Sequence, residues 1–227
     1  VTVMDGIDPN LYKELPEKNI SNDIILCYTG SLEPNRYKNL ILIADASGII
    51  NNQLTKNMQL KIYTFKNDKI KYSKYFSKYG FVDFKESLPY NEIPNIQMNA
   101  DVLIHVESFE RSTAQAMTKY SISTKINQCL ASGTPILAFG PTNIASIDYL
   151  KELQVPIIVN QLNINILIDK ILFLVNNIDN IRKKSLQMRK NVLTDYSLDK
   201  ISSNFEDLIL KSYSEFNKHE SVNLYNI

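Results

Sequence analysis

The sequence predicts an α/β domain, a single doubly wound parallel sheet of about six strands with helices on both faces and a helical carboxy terminus. Two observations predict it. Apolar, β-branched runs alternate with segments of helical periodicity along most of the 227 residues, and the joints between them are short. The last three patterned segments are all helical, with no strand between them.

The elements follow in order. Asp23 to Tyr28 reads as a buried strand ending at Thr29-Gly30, and Tyr37 to Ile50 carries Leu40, Ile41, Ile43 and Ala44 at helical spacing. Met58 to Phe65 returns to strand and Lys69 to Lys78 to helix, the latter amphipathic with lysine stems lying along apolar surface. Gly80 to Phe84 is a short strand, Pro89 to Met98 a short helix and Asp101 to Val106 a strand. Ser123 to Ser132 is helical, stopping at Gly133 and turning directly into the strand Pro135 to Phe139. The helix Ile144 to Leu153 and the strand Pro156 to Val159 follow. Helices near Asn163 to Asn176, Asp179 to Leu193 and Ser197 to Asn217 complete the chain. In such a sheet ligands bind at the carboxyl ends of the strands, where Gly30, Phe84, Val106 and Gly140 fall.

Bulk composition excludes several classes. At 44% hydrophobic and 22% charged, this is an ordinary globular composition, and a formal charge of +1 supplies no field to gather nucleic acid. Cys27 and Cys129 lie in apolar segments and read as buried thiols; with only His105 and His219 beside them, a zinc site is not expected. No apolar run approaches the ~20 residues of a membrane span, and no signal-peptide pattern occurs, so the expected compartment is the cytoplasm. The chain opens at Val1 rather than methionine, which suggests a piece of something longer or a removed tag. G-x-G-x-x-G, the P-loop, G-x-S-x-G and H-E-x-x-H are all absent.

The stretch Ser121 to Pro141 carries the most chemistry. A hydroxyl-rich helix start, Ser123-Thr124-Lys125, combines free backbone N–H groups, the positive end of the helix dipole and a full positive charge. That combination suits a phosphate or diphosphate; the same residues alone also make an ordinary N-cap with a solvated lysine. His105, inside an apolar strand, reads as a core or sheet-end histidine.

Four segments add a family likeness. Val1-Thr-Val-Met-Asp-Gly-Ile-Asp-Pro-Asn-Leu-Tyr12 resembles an "N-G-I-D…F" stretch, and Tyr28-Thr-Gly-Ser-Leu-Glu-Pro-Asn-Arg-Tyr-Lys-Asn-Leu40 resembles "Y-x-G-R-L…x-K-G-x-x-L". Asn99-Ala-Asp-Val-Leu-Ile-His-Val-Glu-Ser108 resembles "x-A-D-V-x-x-x-P-S", and Ser123 to Pro141 resembles "S-x-K-x-x-E-Y-L-A-x-G-x-P-I-L-A-x-G-P". They stand in the same order as in that pattern set, between Val1 and Pro141. The chain thus resembles the carboxy-terminal, donor-binding half of a retaining glycosyltransferase of the two-Rossmann-domain (GT-B) fold, of the family-4 kind that builds cell-surface polysaccharides.

The resemblance implies roles for particular residues. Lys38 stands at the phosphate-binding lysine, with Arg36 close enough to share its work; Ser31 stands after Gly30 where the family usually has arginine. Ser123, Thr124 and Lys125 fall where backbone amides hold the donor diphosphate, and Gln128 replaces the glutamate that binds the ribose hydroxyls. The sugar-contacting glutamate is either Glu107 or Glu110, and base recognition is expected from backbone between Phe84 and Leu88, including Lys85.

The implied reaction moves a sugar from a UDP- or GDP-sugar to an acceptor with retention, in polysaccharide, O-antigen or capsule synthesis. Fixed cations and N–H dipoles stabilise the departing diphosphate without metal or cofactor. Residues 1–20 become a lead-in from a missing amino-terminal acceptor domain, 21–196 the Rossmann-like nucleotide-sugar domain, and 197–227 a terminal helix and tail. Without the acceptor half, the chain is expected to bind donor weakly and turn over poorly or not at all. Arg182-Lys183-Lys184 with Arg189-Lys190 is either a solvated face or a peripheral contact with an anionic inner membrane face carrying lipid-linked acceptors. Two alternatives stand beside this: a sugar-nucleotide epimerase of related architecture, and a catalytically inactive partner-binding module, supported by Gln128 and Ser31.

Overall fold

The computed structural model describes residues 4–16, 23–53, 57–110, 116 and 118–223. The first three residues of the 1–12 segment, most of 111–117 and the tail 224–227 lie outside the described residues. Six strands, β1 (Asp23–Thr29), β2 (Asn57–Thr64), β3 (Val82–Glu86), β4 (Val102–Val106), β5 (Ile136–Phe139) and β6 (Ile157–Val159), form one parallel sheet in the order β3-β2-β1-β4-β5-β6. The chain winds outward from β1 in one direction and from β4 in the other, so the order reverses between them. A crevice opens there at the carboxyl ends of the strands. The predicted architecture is the observed one.

Side chains alternate between the two faces of the sheet. Leu26 and Tyr28 of β1, Val102, Ile104 and Val106 of β4, and Leu137 and Phe139 of β5 enter one core. The helices α1 (Arg36–Asn51), α2 (Lys66–Tyr72) and α6 (Ile164–Asn176) cover it through residues such as Leu40, Ile43, Tyr72, Leu167 and Ile171. Cys27, Leu103, Ile136 and Ala138 point the other way, under α3 (Ile93–Asn99), α4 (Lys125–Ser132) and α5 (Ala145–Glu152). A following helix, α7 (Ile178–Asp195), joins both layers: Ile181 belongs to the first core and Val192 to the second. Burial of each large aliphatic side chain contributes about 1.5–3 kcal/mol, so the central strands supply much of the driving force.

The lead-in is part of this body. Ile7 N–H donates to Tyr196 O at 2.8 Å, Leu198 N–H donates to Ile7 O at 2.9 Å, and Tyr12, in the 3₁₀ turn Pro9–Tyr12, is buried. The last helix, α8 (Leu198–Asn223), leaves Phe205, Ile209, Leu210, Tyr213 and Phe216 half or more exposed.

Most boundaries shift by a residue or more from the sequence reading, and the last helix runs six residues past Asn217 to Asn223; three of the shifts have a clear physical reason. The segment read as Lys69 to Lys78 begins at Lys66 and tightens into a 3₁₀ turn over Ser73–Phe76. Tightening brings side chains three apart into line, and Tyr72 and Tyr75 lie 6.4 Å apart beside Tyr37, which stacks on Tyr72 at 4.4 Å. β3 starts at Val82 rather than Gly80, because Val82 N–H closes a turn onto Tyr79 O at 3.2 Å just before the strand. α3 starts at Ile93, which puts Pro94 in the first turn, where its missing N–H costs nothing.

Candidate functional site at the β1–β4 crevice

β1 delivers the first component. After Thr29 the chain turns through Gly30 at φ 140°, a conformation that favours glycine. A Cβ there would also lie 2.0 Å from Lys125 Nζ, so the missing side chain is what admits the lysine. Lys125 opens α4 and lays its amine 5.5 Å from the centre of the Tyr28 ring. The amine has no hydrogen-bond acceptor among the described residues, and the side chain is only partly exposed. Burial, reinforced by the Arg36 charge, brings its pKa down to about 8.

The start of α1 and the end of β4 deliver the second. Arg36 Nη2 donates to Glu107 Oε2 at 2.9 Å, its Nε to Val106 O at 3.2 Å, and its Nη1 to Glu33 O. Glu107 is buried and fixed from several sides: its N–H donates to Phe139 O, its carbonyl accepts from Asn39 Nδ2, and Gly140 makes room for its Cβ. Burial opposes its ionisation, yet the Arg36 guanidinium holds the carboxyl below the usual carboxylate range. His105 is buried on β4, its Nε2 3.4 Å from Glu107 Oε1 and without a hydrogen-bond partner. Desolvation keeps its pKa below the ordinary histidine value despite that carboxylate.

Two further contacts tie the loops at the rim. Lys38 Nζ pairs with Glu110 Oε1 across the mouth of the crevice, both side chains about half exposed, and the carboxylate raises the lysine pKa. Ser31 donates its hydroxyl to Asp68 Oδ2 at 2.9 Å and accepts from Glu33 N–H, while Leu32 N–H also donates to Asp68 Oδ2, at 2.8 Å. Where arginine was expected by resemblance, a serine thus anchors the loop to α2.

The start of α4 differs in detail from a hydroxyl-capped helix. Thr124 occupies the N-cap position with helical backbone and no capping hydrogen bond from its side chain. Ser123 N–H is taken by Ser146 Oγ at 2.9 Å, whereas the amides of Thr124 and Lys125 have no acceptor among the described residues. Gln128, one turn beyond Lys125, is partly exposed on a neighbouring face of the helix. The base-recognition segment is less open than expected. Phe84 and Lys85 sit within the β2–β3 ladder opposite Ile62 and Tyr63, Lys85 is paired with Asp83, and Ser87 N–H donates to Thr64 O. Leu88, beyond the strand, is exposed.

The crevice therefore gathers Gly30, Arg36, Lys125 and Glu107, with Lys38 and Glu110 at its rim and Ser123, Thr124 and Gln128 along α4. Phe84 and Lys85 on β3, and Leu88 beyond it, stand apart. Asn39 and Asp68 hold the site and were not found from sequence. Asn39 gives a faint signal, an amide on the apolar face of a helix; nothing local marks Asp68. Cys27 and Cys129 are free and buried, with thiol pKa values pushed up to about 12 by desolvation. Among the described residues no group of three or more His, Cys, Asp or Glu is arranged to hold a metal ion, and no helix is long and apolar enough to cross a membrane.

No protein-family profile and no curated protein sequence matches the chain. Solved structures do. A glycosyltransferase from Rickettsia africae superposes with a TM-score of 0.68 at 13% identity, over 91% of this chain and 55% of that one. HepE of Anabaena, solved with UDP-glucose, gives 0.66 at 12% identity over 91% and 56%. TarM of S. aureus gives 0.59 at 18% identity over 92% and 37%. The chain thus spans little more than half of the first two and about a third of the last. The likeness establishes the fold, a Rossmann-like domain shared with known glycosyltransferases.

Proposed function

We propose that the chain is the donor-binding half of a retaining glycosyltransferase. It moves a sugar from a UDP- or GDP-sugar to an acceptor in polysaccharide, O-antigen or capsule synthesis. The observation that carries this reading is Lys125, a desolvated ammonium without an acceptor among the described residues, seated against Gly30 at the strand-order reversal. Keeping a cation there unpaired is unfavourable unless an anion arrives. The free amides of Thr124 and Lys125 at the start of α4 favour the same ligand.

In this reading the diphosphate lies between Lys125, the start of α4 and the loop Gly30-Ser31, with Arg36 and Lys38 at its outer oxygens. These cations and amides stabilise the charge that builds on the leaving diphosphate, without recourse to a metal. Gln128 takes the ribose, and backbone near Phe84, Lys85 and Leu88 takes the base. Of the two glutamates, Glu110 is assigned the sugar. Glu107 is buried and committed to Arg36, while Glu110 is held only by an exposed pair, of a kind worth about 0–1 kcal/mol. HepE, solved with UDP-glucose, favours UDP as the nucleotide. The acceptor half belongs to a separate amino-terminal domain. Lys183, Lys184 and Lys190, exposed on α7, face the inner membrane surface that carries a lipid-linked acceptor; Arg182 and Arg189 instead bind Asp101 and Tyr12 O.

A second reading, a non-catalytic module, is favoured by Ser31, whose hydroxyl is committed to Asp68 where the resemblance expects a phosphate-binding arginine. Calorimetric titration with UDP, GDP and ADP in EDTA, beside Lys125→Ala, separates the two. Metal-free binding of one nucleotide, weakened at least tenfold in the variant, supports the donor half. Failure of all three to bind removes the present basis for it.

A further inference from the structure

His105 is buried at the crevice, and the diphosphate reading gives it no task. Among the described residues its Nε2 has no aligned hydrogen-bond partner, and the nearest carboxylate oxygen, Glu107 Oε1, stands at 3.4 Å. A buried nitrogen left in that state costs about 1–3 kcal/mol, and native structures contain few of them. Three charged groups face the ring: Glu107 from beyond its own strand, Arg36 from α1 and Lys125 from α4. Its neighbour in register on β5 is the uncharged Ala138.

Arg36 meets a conflict when an anion arrives. Each of its nitrogens already donates within the protein, to Val106 O, Glu33 O and Glu107 Oε2. One N–H on each Nη is still free, but a phosphate that draws the guanidinium toward itself lengthens the bond to Glu107, and a buried carboxylate that loses its cation is strongly unfavourable. Among the described residues, the other cation-forming side chain within ion-pair distance of that carboxylate is His105.

We propose that His105 is a positioning residue that takes up a proton when a diphosphate occupies the Lys125–Arg36 position, replacing Arg36 as the counter-ion of Glu107. The inference rests on the nucleoside-diphosphate reading of this site. The incoming negative charge cancels the field of Lys125 and Arg36 at the ring, which together with burial keeps the empty-site imidazole neutral. The proton comes from solvent and adds to the unprotonated ring nitrogen, so that both nitrogens become donors and Nε2–H is directed at Glu107 Oε1. No other bond is made or broken. Arg36 is then free for the phosphate.

The test is calorimetry with the sugar-linked form of the nucleoside diphosphate that binds, whose two phosphates carry no proton that titrates near neutral pH, at about pH 6.5 in buffers of different ionisation enthalpy. It is joined by histidine NMR in a His219→Gln background, since the chain has two histidines. At that pH Lys125 is already protonated, so uptake reports on the ring. Wild type is expected to take up a substantial part of about one proton while the His105 resonances move to imidazolium values. In His105→Gln the uptake disappears and affinity falls about tenfold. Binding without uptake, or uptake that persists in His105→Gln, overturns the role of His105 and leaves the nucleotide reading standing. A wild-type chain that binds no nucleotide overturns both. If His105→Gln fails to fold, the wild-type resonances decide: a ring that stays neutral at saturation overturns the proposal.

Discussion

At the scale of single residues, the crevice sets stability against binding. Lys125 has a folded-state pKa lowered to about 8, below its ordinary value. The unfolded chain therefore holds this proton more tightly, and the stability lost to the buried charge is regained as pH rises through and above about 8. Lys125→Met is expected to stabilise the empty protein by about 1 kcal/mol while abolishing nucleotide binding. Chemical denaturation and calorimetry on one preparation check both signs. Ligand affinity should follow the same proton with the opposite preference. An anion needs the ammonium, so nucleotide binding is expected to weaken progressively above about pH 8, most simply measured as Kd against pH. His105, kept neutral by burial, acts at the acid end. It contributes stability above the ordinary histidine range that is lost as pH falls below it, because the unfolded chain protonates first.

At the scale of elements, the anion-binding end of α4 depends on how its other end is fixed. Gly133 terminates the helix at φ 70°, and a Cβ there would meet Leu186 Cδ2 at 2.8 Å and Arg189 Cδ at 3.0 Å on α7. The α4–α7 contact therefore requires glycine for conformation and for space. Gly133→Ala is expected to cost about 1–3 kcal/mol in denaturant unfolding, and to weaken nucleotide binding through displacement of Lys125. On the opposite side, Asp68 gathers Ser31 and Leu32 to the start of α2. Asp68→Asn keeps the shape and loses the charge, and is expected to loosen the loop beside Gly30. The observable is faster amide exchange at Leu32, with little change in global stability.

At the scale of the whole molecule, the segment before the first strand closes the domain. Tyr12 and Ile7 are buried among α4 and α7, and Arg189 donates to Tyr12 O. Tyr12→Ala is expected to cost about 3–5 kcal/mol, measured as a lowered unfolding midpoint, although Tyr12 lies outside the sheet and its crossover helices. This segment reads from sequence as a lead-in because it has no periodicity; its burial follows from contacts with residues more than a hundred positions away.

The sequence by itself determined the architecture. Runs such as Ile24 to Tyr28 and Ile136 to Phe139, separated by helical periods and short joints, leave a parallel sheet as the way to bury both strand faces. The same local chemistry marked Gly133 as a helix stop and Lys125 as a candidate anion ligand, since capping and dipole effects depend on neighbours in sequence. Only the tertiary structure decided which charges meet. That Arg36 is spent on Glu107, Lys38 on Glu110 and Ser31 on Asp68, while Lys125 is left without an acceptor among the described residues, depends on loops converging where the strand order reverses. Pairing and desolvation are set by distances of a few ångströms between residues far apart in the chain, and no local pattern encodes those distances.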